Sequence, residues 1–191
     1  MREVLLFLGS PRKKGNSEVL AEAVCRGIKQ GGGSYEIVRL ADLNFSPCIG
    51  CGGCNKTGHC VVEDQMIPLY DKIESARRVI MVSPIYFYSI TAQAKAFVDR
   101  CQALWNRKYL QVKKGTWKQD PDRKGYLVAV AATQGERVFD GAILTMKYAY
   151  DAMGLIYGGD FLVRGVDKRG EMAKDVETLK KAEEFGKQCL E

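Results

Sequence analysis

Five apolar segments of strand length alternate along the chain with longer segments in which apolar residues recur every three or four positions. The first, Val4 to Leu8, is continuously apolar, as expected for a strand covered on both faces of a parallel sheet. The others are Tyr35 to Leu40, Val79 to Ser83, Tyr126 to Thr133 and Ile156 to Val163. Strands that alternate with helices predict βαβ units with right-handed crossovers. We therefore expect an α/β fold with a doubly wound, five-stranded parallel sheet in the order 2-1-3-4-5 and helices on both faces.

Helical periodicity fills most of the intervals between these strands. The first helix is predicted to begin at Asn16 or Ser17, either of which can act as its N-cap, and to end at Gly31 to Gly33. The later helices are predicted to start after Asp64 and to span Thr91 to Trp105, Phe139 to Met153 with Gly154 as C-cap, and Glu171 to Leu190. Residues Asn106 to Lys124 show no regular period and are rich in Lys and Arg, so we predict an irregular insertion there.

Length and composition favour one globular domain over residues 1–191. The chain is 46% hydrophobic and 27% charged, which suffices for a sizeable buried core. No apolar run approaches the roughly 18 residues of a membrane span, and the first predicted strand leaves no room for a signal peptide. We expect a cytoplasmic protein without a membrane partner. The net charge of +6 suits anionic ligands such as nucleotides, although solvated helix faces explain it equally well. The absence of a nucleic-acid motif argues against that partner.

The loop after the first strand, Gly9 to Ser17, reads Gly-Ser-Pro-Arg-Lys-Lys-Gly-Asn-Ser. A loop in this position directs backbone N–H groups and polar side chains toward a helix N-terminus, where unpaired donors and the helix dipole favour a phosphate. The loop lacks the glycine spacing of a P-loop and of a dinucleotide fold. An ordinary polar loop whose Ser and Asn only cap the helix remains an alternative. The candidate phosphate-binding residues are Ser10, Arg12, Gly15, Asn16 and Ser17.

The predicted strand order places the switch point between strands 1 and 3, where ligands bind outside the carboxyl ends of the strands. The loop after strand 3 contains three aromatic residues in a row, which suits a platform for a flat conjugated ring. The end of strand 4 would supply a third wall at the polar edge of that ring. A phosphate at one loop and a ring at the next describe flavin mononucleotide (FMN). The candidate ring-binding residues are Pro84, Ile85, Tyr86, Phe87, Tyr88, Ser89, Thr133, Gln134 and Gly135.

A cysteine-rich loop is predicted at residues 46–62, with the spacing C-x2-C-x2-C-x5-C. Its candidate metal ligands are Cys48, Cys51, Cys54 and Cys60. Glycines between the first three cysteines allow the backbone to wrap one compact centre, and structural disulfides are not expected in the cytoplasm. The spacing is close to that of a 4Fe-4S ferredoxin site, while four thiolates also suit zinc, and a loop without metal is the third alternative. His59 is predicted to be a loop residue, and Cys25, Cys101 and Cys189 to be buried.

Several of these motifs resemble one known family. The Gly-Ser-Pro-Arg-x-x-Gly-Asn-Ser loop, the Ser-Pro-Ile-Tyr segment and Lys95…Phe97-x-Asp99-Arg100 resemble the NADPH-dependent FMN reductases with a flavodoxin-like fold, over about residues 3 to 135. The cysteine segment resembles the iron-sulfur flavoprotein branch of that family. The resemblance implies FMN bound through the residues named above, and a homodimer or homotetramer with each flavin near a subunit interface. The chain departs from the pattern at Asn106 to Lys124 and at Thr133 to Gly135, where relatives often have Thr-Gly-Gly.

These observations together predict an FMN-dependent oxidoreductase that takes hydride from NAD(P)H and passes electrons to a small acceptor such as a flavin or a quinone. The expected partners are NAD(P)H and either a small-molecule electron acceptor or a redox protein. No side chain need act as a catalytic acid, because the cofactor carries the redox chemistry. A 4Fe-4S cluster, where present, would offer a one-electron exit. The basic residues of Lys113 to Lys124 favour NADPH over NADH on charge alone. The alternatives are a flavodoxin-like electron carrier, which the positive net charge disfavours, and a zinc- or redox-sensing module, which leaves Gly9 to Ser17 unexplained.

Overall fold

The structure, a computed structural model, describes residues 3–191. All strand pairs in its sheet are parallel, and the order β2-β1-β3-β4-β5 is the one predicted from the sequence. This topology is flavodoxin-like. The strands are β1 (Glu3–Leu8), β2 (Ser34–Arg39), β3 (Arg78–Pro84), β4 (Lys124–Val130) and β5 (Ile156–Val163).

Helices connect successive strands and cover both faces of the sheet. They are α1 (Asn16–Gln30), α2 (Ile67–Ser75), α3 (Ala92–Arg100), α4 (Gln102–Lys113), α5 (Asp140–Ala152), α6 (Glu171–Lys174) and α7 (Val176–Gln188), with a short 3₁₀ helix at Leu40–Asp42. Over residues 3–191, no helix is long and apolar enough to cross a membrane.

Alternate residues of the central strands enter two separate cores. Leu5 and Phe7 of β1 pack with α2, α3 and α5, whereas Leu6 and Leu8 pack with α1 and α7 on the other face. Because both faces of β1 are covered, neither set of side chains can be polar. This explains the continuous apolar segment by which the first strand is recognised in the sequence.

The predicted insertion at Asn106 to Lys124 is wrong over its first half. Residues Gln102–Lys113 form α4, and the irregular part begins at Lys114. Ala103, Leu104 and Asn106 are the buried residues of α4, so the part of the helix after Asn106 has no buried residue and no clear apolar stripe in the sequence. The basic residues in the first half of the predicted insertion therefore belong to a regular helix.

Two predicted helices are each divided in the structure. The helix predicted from Thr91 to Trp105 is interrupted at Cys101, where the Tyr70 hydroxyl donates to the carbonyl oxygen of Arg100 at 3.0 Å. The helix predicted from Glu171 to Leu190 is interrupted at Asp175. The Asp175 carboxylate accepts a hydrogen bond from the Thr178 backbone N–H at 3.0 Å and so caps α7.

Helices α1 and α7 approach each other through two glycines. A Cβ atom on Gly27 would overlap the carbonyl oxygen of Glu183, and one on Gly186 would overlap the carbonyl oxygen of Val24. The two backbones are therefore in direct contact, which no larger residue allows at these positions.

We predict that Gly27→Ala destabilises the protein by about 1–3 kcal/mol, because the added methyl group forces α1 and α7 apart. The direction of this change in stability is informative, because alanine within a helix is normally more favourable than glycine by about 0.5–1 kcal/mol. Urea unfolding followed by circular dichroism measures the change. Glu22→Ala, at an exposed position of the same helix, is the control and should change stability by less than about 0.5 kcal/mol. A Gly27→Ala protein as stable as the wild type would contradict the close contact.

Candidate functional site

The carboxyl ends of β1 and β3 diverge at a buried junction. The Gly9 backbone N–H donates to the carbonyl oxygen of Val82 at 2.8 Å, and the Thr91 hydroxyl donates to the carbonyl oxygen of Gly9 at 2.5 Å. The Ser83 hydroxyl oxygen accepts a hydrogen bond from the Thr91 backbone N–H at 3.2 Å. These bonds set the starting points of the two loops that the sequence assigns to the site. The site is therefore at the topological switch point of the sheet.

A cavity of about 330 Å³ lies between these two loops. Its lining includes eight of the predicted cofactor-binding residues: Ser10, Arg12, Gly15, Asn16, Ser17, Pro84, Ile85 and Tyr86. The structure thus brings the predicted phosphate loop and the first half of the predicted aromatic loop to one place.

The N-terminus of α1 opens into this cavity without a side-chain cap. The N-cap residue is Gly15, so the prediction that Asn16 or Ser17 caps the helix is wrong. The first backbone N–H groups of a helix have no partner within it and, with the helix dipole, favour an anion. Ser10 and Ser17 are buried beside them, and the Ser10 hydroxyl oxygen accepts from the Arg12 backbone N–H at 3.2 Å. The arrangement suits a phosphate group.

The second half of the aromatic loop turns away from the cavity. Tyr86 and Ser89 exchange backbone hydrogen bonds of 2.9 and 3.1 Å, which closes a tight turn over Phe87 and Tyr88. Both central residues have positive φ, 49° and 63°, a left-handed conformation that is unfavourable for aromatic residues. Phe87 is completely exposed, and Tyr88 is about half exposed. Neither of them, nor Ser89, lines the cavity.

The predicted third wall also lies outside this cavity. Gln134 packs tightly against Gly165, while the Arg164 guanidinium donates to the carbonyl oxygens of Gly135 and Glu136 at 3.3 and 3.0 Å. A shallow depression, to which Thr133 and Gln134 do not contribute, joins Gly135 to Tyr88. In this region it is Ala132 that reaches the main cavity.

Six residues that line the cavity were not predicted from the sequence. They are Lys13, Val130, Ala132, Val166, Asp167 and Arg169. The last three belong to the connection between β5 and α6, which returns across the carboxyl edge of the sheet to α1. The amide of Asn16 binds this connection, donating to the carbonyl oxygen of Lys168 at 2.9 Å. The basic pair Lys168 and Arg169 between two glycines was the available indication in the sequence.

The four cysteines of the cysteine-rich loop line a second cavity, of about 440 Å³. Cys48, Cys51, Cys54 and Cys60 all contribute to it, together with Arg100 from α3. Gly50, Gly52 and Gly58 have positive φ, the conformation that lets the chain turn sharply around the cysteines. Over the described residues 3–191, no three His, Cys, Asp or Glu side chains lie close enough together to hold a metal ion.

Hydrogen-bond donors are directed at two of these sulfur atoms. The Asn106 amide donates to Sγ of Cys54 at 3.0 Å, and the Gly50 backbone N–H donates to Sγ of Cys48 at 3.5 Å. Asn106 is buried, so its N–H groups cannot be satisfied by bulk water. Donors placed in this way stabilise negative charge on the sulfur.

Arg100 closes the neck of the cysteine-rich loop. Its buried guanidinium donates to the carbonyl oxygens of Ser46 and Val62 at 2.8 and 3.1 Å, one at each end of the loop. It also forms a bidentate pair with Asp64, with N–O distances of 2.6 and 3.0 Å. The buried Nε of Arg100 has no hydrogen-bond partner within residues 3–191. A cation with a spare donor therefore borders the cysteine cavity.

The other three cysteines are buried, as predicted, unlike those of the cysteine-rich loop. Cys25, Cys101 and Cys189 are buried in the cores. Burial raises the pKa of Cys25 and of Cys189 to about 12 and also raises the pKa of Cys101. These thiols stay protonated at neutral pH and are not available as ligands. His59 is exposed, and its Nδ1 lies 3.1 Å from a guanidinium nitrogen of Arg107.

The basic segment Lys113 to Lys124 lies at the opposite edge of the sheet from the first cavity. It connects the end of α4 to the start of β4, and the Lys124 backbone N–H donates to the carbonyl oxygen of Arg77, just before β3. The charges of this segment therefore give no support to the predicted preference for NADPH, because they are at the amino edge of the sheet, and that preference stays a prediction.

The topology and the switch-point cavity define a flavodoxin-like α/β protein. A sequence model of the NADPH-dependent FMN reductase family matches residues 2–155. The chain therefore belongs to this family.

Two curated relatives are named iron-sulfur flavoproteins. One, from Archaeoglobus fulgidus, is 37% identical over 109 residues, which is 57% of this chain and 50% of that protein. The other, MJ1083 from Methanocaldococcus jannaschii, is 35% identical over 102 residues, which is 53% of each. The chain thus spans about half the length of the curated relatives it matches.

A solved structure shows the same fold over the whole chain. The NAD(P)H:quinone oxidoreductase from Methanothermobacter marburgensis superimposes with a TM-score of 0.68 at 16% sequence identity. The match covers 97% of this chain and 98% of the other.

We predict that Asp64→Asn lowers the free energy of unfolding by about 3 kcal/mol at neutral pH, because it leaves the buried Arg100 without its counter-charge. Burial acts to raise the pKa of Asp64, but hydrogen bonds from Arg100 and from two backbone N–H groups outweigh it and lower the pKa below its ordinary value. The wild-type contribution is therefore present above about pH 4 and is lost as the pH falls through the lowered pKa.

Urea unfolding of both proteins at pH 7 and at about pH 3 measures this difference, which should shrink in acid. Asp42→Asn is the matched control, since Asp42 forms ion pairs with Lys13 and Arg39 at the surface. It should cost less than about 1 kcal/mol. An Asp64→Asn effect that is equally large at both pH values would contradict the role given to the ion pair.

Proposed function

We propose that this protein is an FMN-dependent oxidoreductase that takes hydride from NAD(P)H and passes the electrons to a small acceptor such as a flavin or a quinone. The observation that carries the proposal is the cavity of about 330 Å³ at the switch point, which joins an uncapped helix N-terminus to an apolar, partly aromatic wall. Membership of the NADPH-dependent FMN reductase family supports it.

The residues at one end of the cavity fit the phosphate of FMN. The N-terminus of α1 offers backbone N–H groups, and Ser10 and Ser17 offer hydroxyls. Arg12 adds a guanidinium, and it forms no ion pair with a carboxylate in the part of the chain that the structure describes. A phosphate monoester carries nearly two negative charges at neutral pH, which this set of donors would bind.

The residues at the other end fit the flavin ring. Pro84, Ile85 and Tyr86 form one wall, and Val130 and Ala132 from the end of β4 form another. Tyr86 is 42% exposed, which is unusual for a large side chain that adjoins the sheet and leaves its ring accessible to a ligand. Apolar walls of this kind exclude water from a bound ring.

When bound, FMN accepts a hydride and returns electrons either singly or in pairs, so the protein need supply only binding, orientation and exclusion of water. No protein acid or base is assigned to the reaction. The fully exposed Phe87 and the half-exposed Tyr88 lie next to the cavity, at the tip of the aromatic turn. We include in this proposal that the protein assembles as a homodimer or homotetramer. The exposed apolar tip and the family resemblance support such an assembly.

We predict that the FMN-loaded protein is reduced by NADH or NADPH within seconds under anaerobic conditions, because hydride transfer to the flavin is the proposed half-reaction. Loss of the flavin absorbance in a stopped-flow spectrometer measures the rate. Reduction by dithionite is the control for the total amount of reducible flavin.

A flavodoxin-like electron carrier is the alternative function, and the same experiment separates the two. A carrier would be reduced by NAD(P)H only over hours, but rapidly by a separate reductase. That outcome would contradict the oxidoreductase proposal and leave FMN binding intact.

We further propose that the cysteine cavity holds a 4Fe-4S cluster. The four thiols, the N–H groups directed at Cys48 and Cys54 and the unpartnered Nε of Arg100 fit an anionic, thiolate-bound centre. Two relatives named iron-sulfur flavoproteins support this assignment. Cys48, Cys51, Cys54 and Cys60 would hold the cluster, which exchanges single electrons when bound. Zinc or a loop without metal are the alternatives.

We predict that protein prepared anaerobically with cluster-assembly support contains about four iron and four sulfide per chain and absorbs beyond the flavin bands. Cys51→Ala should abolish this absorbance and retain FMN, because the two cavities share no lining residue. Cys25→Ala, buried on the other side of the sheet, is the control and should retain both groups. Iron-free protein from this preparation would contradict the cluster, and one zinc per chain would favour the zinc alternative.

A further inference from the structure

The connection between β5 and α6, residues 164–170, passes over the N-terminus of α1. We call residues 166–172 the strap. Its first residue is fixed to the sheet edge, since the Val166 backbone N–H donates to the carbonyl oxygen of Ala131 at 3.1 Å. Val166, Asp167 and Arg169 then line the switch-point cavity together with Ser10 and Arg12. The strap therefore forms part of the wall of that cavity, although it is far from the phosphate loop in the sequence.

Asn16 holds the strap in place. Its amide nitrogen donates to the carbonyl oxygen of Lys168 at 2.9 Å. Its amide oxygen accepts hydrogen bonds from the backbone N–H groups of Gly170 and Met172, at 3.2 and 3.3 Å. An amide oxygen accepts two hydrogen bonds and an amide nitrogen donates two, so three of the four positions on this side chain are used by the strap. The side chain has little capacity left for a ligand.

The strap is also braced from within. The Glu171 carboxylate accepts hydrogen bonds from the backbone N–H groups of Asp167 and Lys168 at 2.8 and 2.9 Å. These bonds engage Oε2 of Glu171, which with Asp167 is one of the two carboxylates that lie two residues from Arg169 in the sequence. Within residues 3–191, Arg169 forms no ion pair with a carboxylate, and its guanidinium donates to the carbonyl oxygen of Lys13 at 3.2 Å. A guanidinium has five N–H donors, so most of them stay available for an anion.

Two guanidinium groups without carboxylate partners within residues 3–191, Arg12 and Arg169, thus line one cavity near the N-terminus of α1. We propose that Arg169 is a binding residue for the phosphate of the cofactor and that Asn16 is a positioning residue, which acts by holding the strap over that phosphate. This inference rests on the proposed binding of FMN in the cavity. It assigns a different role to Asn16 from that of a phosphate ligand.

The two roles differ in how the substitutions combine. If Asn16 acts only by placing Arg169, removing it from a protein that already lacks Arg169 should cost little more. If Asn16 contacts the phosphate itself, the two losses should multiply. Both effects should depend on the phosphate and so be absent for riboflavin, which has the same ring and no phosphate.

The test is a titration of full-length, flavin-free protein with FMN and with riboflavin, followed by flavin fluorescence, for the wild type, Arg169→Ala, Asn16→Ala and the double variant. We expect each single variant to bind FMN about tenfold or more weakly, as for the loss of a hydrogen bond to a charged group. The double variant should be no more than about twofold weaker than the weaker single variant, and riboflavin binding should not change. Lys168→Ala is the matched control, because it removes the same charge from the strap at a position that does not line the cavity. It should change FMN binding by less than about threefold.

Unchanged FMN affinity in Arg169→Ala would overturn the assignment of Arg169. Losses that multiply in the double variant would overturn the positioning role of Asn16. Should Asn16→Ala fail to fold, Arg169→Ala still decides the first point, because the Arg169 side chain is exposed and Lys13 is its one hydrogen-bond partner within residues 3–191. Wild-type protein that binds neither FMN nor riboflavin would instead overturn the proposed function, and this inference with it.

Discussion

The site depends on the buried junction between Gly9, Ser83 and Thr91. The hydroxyl and the backbone N–H of Thr91 tie the end of β1 to the end of β3 with hydrogen bonds of 2.5 and 3.2 Å. A Cβ atom on Gly9 would lie 2.9 Å from that of Ala94, so a side chain at this position would push α3 away from the sheet. Because buried polar groups are costly to leave unpaired, the junction is rigid. The phosphate loop and the aromatic loop therefore start from one fixed point, and their separation sets the width of the cavity.

A second constraint, the buried pair of Arg100 and Asp64, shapes the cysteine-rich loop. The Arg100 guanidinium donates to the carbonyl oxygens of Ser46 and Val62 and so holds the two ends of the cysteine-rich loop together. The two constraints act on different cavities that share no lining residue. The sheet thus supports two separate cavities, one proposed to bind FMN and one proposed to hold a thiolate-bound centre.

The strand order, the switch point and eight of the cavity residues were predictable, because strand periodicity and parallel connection rules are local properties of the chain. The second part of α4, Asn106 to Lys113, was not predictable in this way. Its lysines and arginines lie along a helix whose buried face is short, and long basic side chains cover apolar surface with their stems. Likewise, arginine is normally a surface residue, so the sequence does not indicate that Arg100 is buried. The structure shows that it is buried and paired with Asp64 and with the two ends of the loop.

By itself, the sequence determined which loops leave the carboxyl edge of the sheet and which cysteines share one loop, since both follow from spacing along the chain. The tertiary structure decided which polar groups meet. Asn16 binds the carbonyl oxygen of Lys168, which is 152 residues away, in place of capping its own helix. Phe87 points into solvent because the hydrogen bonds between Tyr86 and Ser89 close a tight turn beneath it. Hydrogen-bond partners of this kind are determined by how segments that are distant in the sequence pack together. No local pattern of hydrophobic and polar residues specifies that packing.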